Sequence, residues 1–384
     1  MYKFKFVMIL AVIFVLVLPF SNTSYAKNTE NNYIVTFNNN INQQYINSKG
    51  GEVIESFDAT PSVLVKATDE EINDIKLDAN IIEKVEIDGL VEASSDDFDF
   101  GSIDIDPEEQ LIPWNVNYVK ADKAHRMGLT GRGIKIGVID SGITNHKDIK
   151  VTGGINIIDQ SANYNDETGH GTRVAGIIGA VNNSYGLIGV SPNASLYAIK
   201  VLNSNGKGSI SDVIAGLEYA IENKLDIVNL SLQTTIDNSV LKETIKKANK
   251  NGILVIAAAG NYGGSLEENT IAFPAAYKDV ISVGAVNHNG ERYNLSSTGK
   301  ELDLVAPGEY VYTTVLEDMF FLANGTSMAA PHVTGAAALL LEDNPKLKTR
   351  QLEKILLKSA DRLGDFKLYG KGLLNIDKAI KLAK

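Results

Sequence analysis

Apolar residues fall into three different patterns along this chain of 384 residues. At the start, Lys3 and Lys5 precede an apolar run from Phe6 to Phe20, followed by Ser24-Tyr25-Ala26. A basic flank, a short apolar stretch and a small-x-small ending predict a signal peptide cleaved after Ala26. The run is short for a membrane span. In the next segment, Tyr33–Phe37 and Ser62–Lys66 read as strands, with helices predicted over Ile41–Ser48 and Asp69–Leu77. That is a small α+β unit. From Gln110 onward, strand-like apolar runs (Ile134–Ile139, Leu196–Leu202, Asp226–Leu232, Ile253–Ala258, Val280–Val283) alternate with helical stretches, among them Val174–Val181, Ser211–Glu222 and Asn238–Lys250. Continuously apolar strands separated by helices predict an α/β fold with a parallel sheet covered on both faces. Met328–Leu341 is apolar almost all round and reads as a buried helix. About 275 residues are ample for one large core.

Charge separates the two folded units. Glu92 to Glu109 holds eight acidic residues and no basic one, a composition that cannot bury a core and predicts disorder from Glu92, with 95–109 as a linker. Those eight account for most of the formal net charge of −11, so the acidic balance says little about the larger unit. The chain has no basic patch to support a nucleic-acid partner. It also has no cysteine, which rules out disulfide stapling and a lipoprotein anchor.

Three polar positions stand out against this background. Asp140 ends the strand-like run Ile134-Lys-Ile-Gly-Val-Ile-Asp-Ser-Gly142, and catalytic groups of open α/β sheets gather at strand carboxyl ends. His170, in Thr168-Gly-His-Gly-Thr172, precedes a helical run. Ser327, in Gly325-Thr-Ser-Met-Ala-Ala-Pro-His332, opens the buried helix, where free N–H groups and the dipole favour an anion. Each has a plainer reading alone: Asp140 and Ser327 as helix N-caps, His170 as a surface histidine. Together they give the order Asp, His, Ser of one version of the serine-protease triad.

With these segments and Ala257-Ala-Ala-Gly-Asn261 in the same order, the chain resembles the subtilisin-like serine proteases from about Gln110 to its C-terminus, preceded by a propeptide of the family type. The resemblance implies four parts: signal peptide 1–26, inhibitory propeptide 27–94, acidic linker 95–109 and catalytic domain 110–384. Ser327 would attack the peptide carbonyl, His170 would take its proton, Asp140 would hold the imidazole, and Asn261 with the Ser327 N–H would hold the oxyanion. Gly206-Lys207-Gly208 and Ser231-Leu232-Gln233 match the edge strands that take an extended peptide, and Ala258, Gly260 and Ala272 match the walls and floor of the S1 pocket. Gln233 and Ala272 both replace a common glycine, which narrows the expected specificity. Arg173 replaces a commoner histidine with an expected effect on packing only. His332 is expected to pack, and His125, His146 and His288 to be surface or structural residues.

A calcium site is implied as well. Val181-Asn-Asn-Ser-Tyr-Gly-Leu187 resembles the family's calcium loop, with Asn183 and the carbonyls of Val181, Tyr185 and Leu187 facing the ion, and Asp148 and Gln110 as further ligands. All-oxygen ligation with one carboxylate suits Ca²⁺. The expectation is a secreted, monomeric, self-processing endopeptidase acting on peptide or protein substrates and inhibited by its own propeptide, with no membrane contact after signal cleavage. Alternatives are a lantibiotic leader peptidase of narrow specificity and, in another class, a non-catalytic binding protein of the same shape. The propeptide end is expected near Ser94, trimming at Phe98 or Phe100 in the linker, and the mature N-terminus between Ser95 and Gln110. No Lys or Arg lies between Lys84 and Lys120, so self-cleavage there requires a small or apolar P1 residue.

Overall fold

The computed structural model describes residues 29–94 and 110–384. The predicted signal peptide and the 95–109 linker lie outside the described residues. In the N-terminal unit, β1 (Asn31–Phe37), α1 (Gln43–Ser48), β2 (Glu52–Phe57), β3 (Ser62–Ala67), α2 (Asp69–Lys76) and β4 (Ile82–Ile87) build an antiparallel sheet in the order β2-β3-β1-β4. Thr68 starts α2 with a capping box shared with Glu71. Edge strand β2 escaped the sequence reading because it is mostly exposed and has no apolar alternation. A further strand, β5 (Leu90–Ala93), leaves this unit altogether. The disorder expected from Glu92 is therefore corrected: Glu92 and Ala93 are ordered by pairing with strands of the larger unit.

That unit begins with α3 (Trp114–Tyr118) and α4 (Ala121–Arg126), followed by β6 (Lys135–Asp140), β7 (Val151–Asn156), α5 (His170–Gly179) and β8 (Ser195–Lys200). Next come β9 (Lys207–Ser209), α6 (Ile210–Glu222), β10 (Ile227–Leu230), β11 (Leu232–Gln233), α7 (Ser239–Lys250) and β12 (Leu254–Ala258). After these follow β13 (Ile281–Val286), β14 (Leu304–Pro307), β15 (Val311–Thr314), β16 (Phe320–Ala323) and α8 (Thr326–Asp343). Seven strands form one parallel sheet in the order β14-β13-β12-β10-β6-β8-β7. Strand alternation sorts its side chains. Ile136, Val138 and Ile256 pack with α5 and α8 on one face, while Ile139, Val255 and Ala257 pack with α6 and α7 on the other. This is the predicted α/β architecture.

Two local departures matter. The run Asp226–Leu232 divides at Ser231 into β10, inside the sheet, and β11, which leaves it to pair with β5. Edge strand β7 was not expected, since Gly153 and Gly154 interrupt its pattern. A Cβ on Gly154 would lie 2.2 Å from the Ala198 carbonyl, so the strand can approach β8 only without a side chain there. Central helix α8 is buried from Thr326 to Leu340. Its Pro331 cannot donate to the Ser327 carbonyl, which accepts instead from Ser231 Oγ at 2.9 Å.

Candidate active site

The strand order reverses between β6 and β10, and there the carboxyl ends of the strands open a crevice. Asp140, the last residue of β6, and His170, the first of α5, are both buried, with His170 Nδ1 2.7 Å from Asp140 Oδ1. The loop before His170 is shaped by a residue the sequence reading missed. Asp166 Oδ1 accepts from Ser141 Oγ (2.9 Å), Thr168 N and Gly169 N (3.0 Å each), and its Oδ2 accepts from Thr172 N and Oγ1. A carboxylate four residues before the helix was the available signal, at the place where such groups satisfy free N–H donors. Ser141 Oγ in turn accepts from Gly171 N at 2.9 Å, linking the end of β6 to the start of α5.

Ser327 is the second residue of α8 and is fully buried. Its Oγ donates to the carbonyl of Ser94, and its N–H donates to the same oxygen at 3.1 Å. Ser327 therefore faces the end of the N-terminal unit rather than bonding His170, whose buried Nε2 has no partner among the described residues. Asn261 is oriented by Thr326, another residue missed from sequence: Thr326 N and Oγ1 both donate to Asn261 Oδ1 at 3.0 Å. That leaves Asn261 Nδ2 as a buried donor without a partner among the described residues. Ser94 O thus meets one N–H of the expected oxyanion pair, and the second donor is present but unspent.

Strand β5 runs antiparallel between β9 and β11, so the chain enters the crevice by β-addition. Val91 and Glu92 pair with Gly208 and Lys207; Glu92 and Ala93 pair with Gln233 and Leu232. Ala93 N donates to Gly206 O and Ser94 N to Ser231 O, each at 3.1 Å. All six edge residues expected from sequence flank this strand. Ala258 ends β12 and packs in the core, while a Cβ on Gly260 would lie 2.8 Å from the Ala272 methyl. Arg173 lines the groove with Thr168, His170 and Lys207, so it borders the peptide rather than only packing.

The remaining histidines lie away from the Ser327 groove, and His288 is exposed. His332 is fully buried between Asn115 Nδ2 (3.0 Å) and Met328 O (2.8 Å), and burial depresses its pKa to about 4. His125 contacts Val190 O, and His288 meets Trp114 edge-on. His146 Nδ1 accepts from Asp148 N at 3.0 Å and so helps to place that carboxylate.

Around Gln110 the expected ligand atoms converge. Its side-chain amide nitrogen lies 2.7 Å from Val181 O, 2.9 Å from Tyr185 O and Leu187 O, and 3.3 Å from Asn183 Oδ1. An NH₂ group has only two protons for four acceptors, so the oxygens form a cradle suited to a cation. Asp148 adds Oδ1, buried without a partner among the described residues, while its Oδ2 accepts from Leu187 N at 2.7 Å. Burial lifts this carboxyl to about 7. The residues fit Ca²⁺.

A family description, the subtilase family of peptidases, matches residues 131–372. The chain is 46% identical to subtilisin DY of Bacillus licheniformis over 271 residues, which is 70% of this chain and 99% of that protein. It is 38% identical to subtilisin E of Bacillus subtilis (strain 168) over 385 residues, 97% of each chain. With an alkaline protease of Shouchella clausii the identity is 35%, over 94% of each. The chain belongs to the subtilase family and is a serine endopeptidase, which sets aside the non-catalytic reading.

Proposed function

We propose that this protein is a secreted endopeptidase that frees itself by cutting after Ser94. The observation that carries this is the Ser94 carbonyl lying against both Oγ and N–H of Ser327. In this reading 27–94 is the inhibitory propeptide and β5 is its product-like tail. His170 accepts the proton of Ser327 through Nε2, the nitrogen left open by the Asp140 contact at Nδ1, and later gives it to the leaving amine. Asp140 keeps the proton on Nδ1 and stabilises the imidazolium. Ser327 N–H and Asn261 Nδ2 receive the charge that develops on the carbonyl oxygen. The cradle of Gln110, Asp148, Val181, Asn183, Tyr185 and Leu187 would hold Ca²⁺, which supplies positive charge that rigidifies the loop. Secretion rests on residues 1–26 and on likeness to the subtilisins; among the described residues no helix is long and apolar enough to cross a membrane.

Ser327→Ala should accumulate as a precursor starting near Lys27, and His170→Ala should be blocked similarly because triad members act as a unit. Normal trimming of purified Ser327→Ala, with no other protease present, would exclude self-cleavage. A second reading, a narrow maturation protease of the lantibiotic leader-peptidase kind, is favoured by the Gln233 side chain across the S1 mouth. A strong preference for Arg or Lys at P1 would support it against that side chain's obstruction of large P1 residues, and would mean that another protease cuts the propeptide.

A further inference from the structure

Gln233 stands where a side chain is least expected, and every polar atom of that side chain is engaged. It is buried, and its Oε1 accepts from the backbone N–H of Asn261 at 2.9 Å. A backbone N–H can only donate, so this contact assigns the carboxamide: the oxygen faces Asn261 and the nitrogen must face the other way. On that other side lies Glu92 Oε1, 3.1 Å from Gln233 Nε2. The orientation is thus decided at both ends, by a pure donor and by a carboxylate that is a pure acceptor when ionised. Gln233 Oε1 also accepts from Ser94 Oγ at 3.2 Å. Residues two apart in a strand present the same face, so one side chain on β11 reads positions 92 and 94 together.

We propose that Gln233 is a specificity-determining residue: its fixed carboxamide selects peptides with an acidic residue at P3 and a small hydroxyl residue at P1. This rests on the reading above, in which Ser94 is P1 and Glu92 is P3. An apolar or basic P3 side chain leaves Nε2 facing no acceptor, and a Gln there offers only an uncharged one, which makes the weaker hydrogen bond. A large P1 side chain must displace the carboxamide, which Ser94 Oγ touches, from the Asn261 N–H. Lys207, the partner of Glu92 on the opposite edge strand, favours the same charge but offers no fixed geometry. A hydrogen bond to a charged group contributes about 10- to 100-fold in affinity, so the P3 acid should matter on that scale in kcat/KM.

The test uses mature wild-type enzyme and quenched fluorogenic peptides built on Leu90-Val-Glu-Ala-Ser-Ser-Asp-Asp97. Replacing the P3 Glu by Gln, Ala or Lys should lower kcat/KM about tenfold or more, and Phe or Leu at P1 should be cleaved poorly. In Gln233→Gly the P3 discrimination should disappear and large P1 residues should be accepted. Gln233→Glu should invert the preference, with Lys at P3 overtaking Glu. If Gln233→Gly does not mature, Gln233→Met, of similar length but without amide donor or acceptor, should lose P3 discrimination in the same way. Indifference of the wild type to P3 would overturn the proposal. So would a P3 acid preference that survives in Gln233→Gly but vanishes in Lys207→Ala, since the charge would then be read by Lys207. These outcomes are independent of self-cleavage, which stands or falls on the fate of the Ser327→Ala precursor.

Discussion

Asn261 shows how one residue's chemistry is set by its neighbours. An isolated carboxamide can rotate, but the two Thr326 contacts hold its oxygen and leave only the nitrogen to receive developing charge. Because that donor is spent on the transition state, removing it should lower kcat and leave KM nearly unchanged. For Asn261→Leu we expect kcat to fall ~10²–10³-fold, the magnitude known for loss of this kind of donor in subtilisin, the reference case. Steady-state kinetics on a small peptide substrate decide it. A loss confined to KM would mean that Asn261 binds the ground state instead. The same logic explains Asp166 and Ser141, which touch no substrate but fix the groups that do, and Thr326, whose Oγ1 holds Asn261 and also meets the Ser94 hydroxyl at 2.9 Å.

Short loops between elements carry the calcium cradle. Its oxygens come from the segment after α5 and from Asp148 near β7, with the Gln110 side chain before α3 laid across them, so an ion there would tie together pieces distant in sequence. An ion that binds only the folded state adds stability as RT ln(1 + [L]/Kd), about 2.7 kcal/mol at a hundredfold excess over Kd. The mature enzyme should therefore melt earlier in chelator than in calcium, and Asp148→Ala should abolish most of that difference. Equal melting temperatures in both conditions would remove the assignment. Helix α8 is the other element whose end is functional. Pro331 frees the Ser327 carbonyl, Ser231 claims it, and the first turn of the helix is anchored to the strand end beside the groove.

At the scale of the whole molecule, the N-terminal unit docks through acidic side chains. Glu86 accepts from Ser239 N at the start of α7, and Asp88 accepts from Ser211 N in the first turn of α6. Negative groups are favoured at helix N-termini. Yet burial, with Asp212 close by, holds the Asp88 carboxyl above its ordinary value; burial also raises Asp212, and burial with Asp212 and Asp88 raises Glu55. Groups whose pKa is higher in the complex take up protons on docking, so their contribution is fully present below the ordinary carboxyl range and is lost as pH rises through the shifted values. After cleavage the propeptide should therefore leave faster at pH 8 than at pH 4, within the ordinary carboxyl range, and Asp88→Asn should flatten that dependence. Size-exclusion chromatography of the cleaved complex across that range measures it. Faster release at pH 4 would contradict the sign.

Much of the site was legible because chemistry at Asp140, His170, Ser327 and Asn261 needs particular residue types in particular local settings. A carboxylate at a strand end, a histidine before a helix and a serine on a buried helix survive as local patterns. The parallel sheet was legible for a similar reason, since strands buried on both faces read as continuous apolar runs. What the chain order could not reveal is whatever depends on contacts between distant segments. Glu92 looked like the start of a disordered acidic stretch because its composition cannot form a core, yet Lys207 and Gln233, more than a hundred residues away, turn it into a paired strand. Strands β2 and β7 were invisible because exposed or glycine-rich edges carry no apolar alternation and exist only by pairing. Gln233 could be read from sequence as added bulk. Only the fold brings Asn261 N–H to one side of its carboxamide and Glu92 to the other, because orientation comes from the partners and not from the side chain itself.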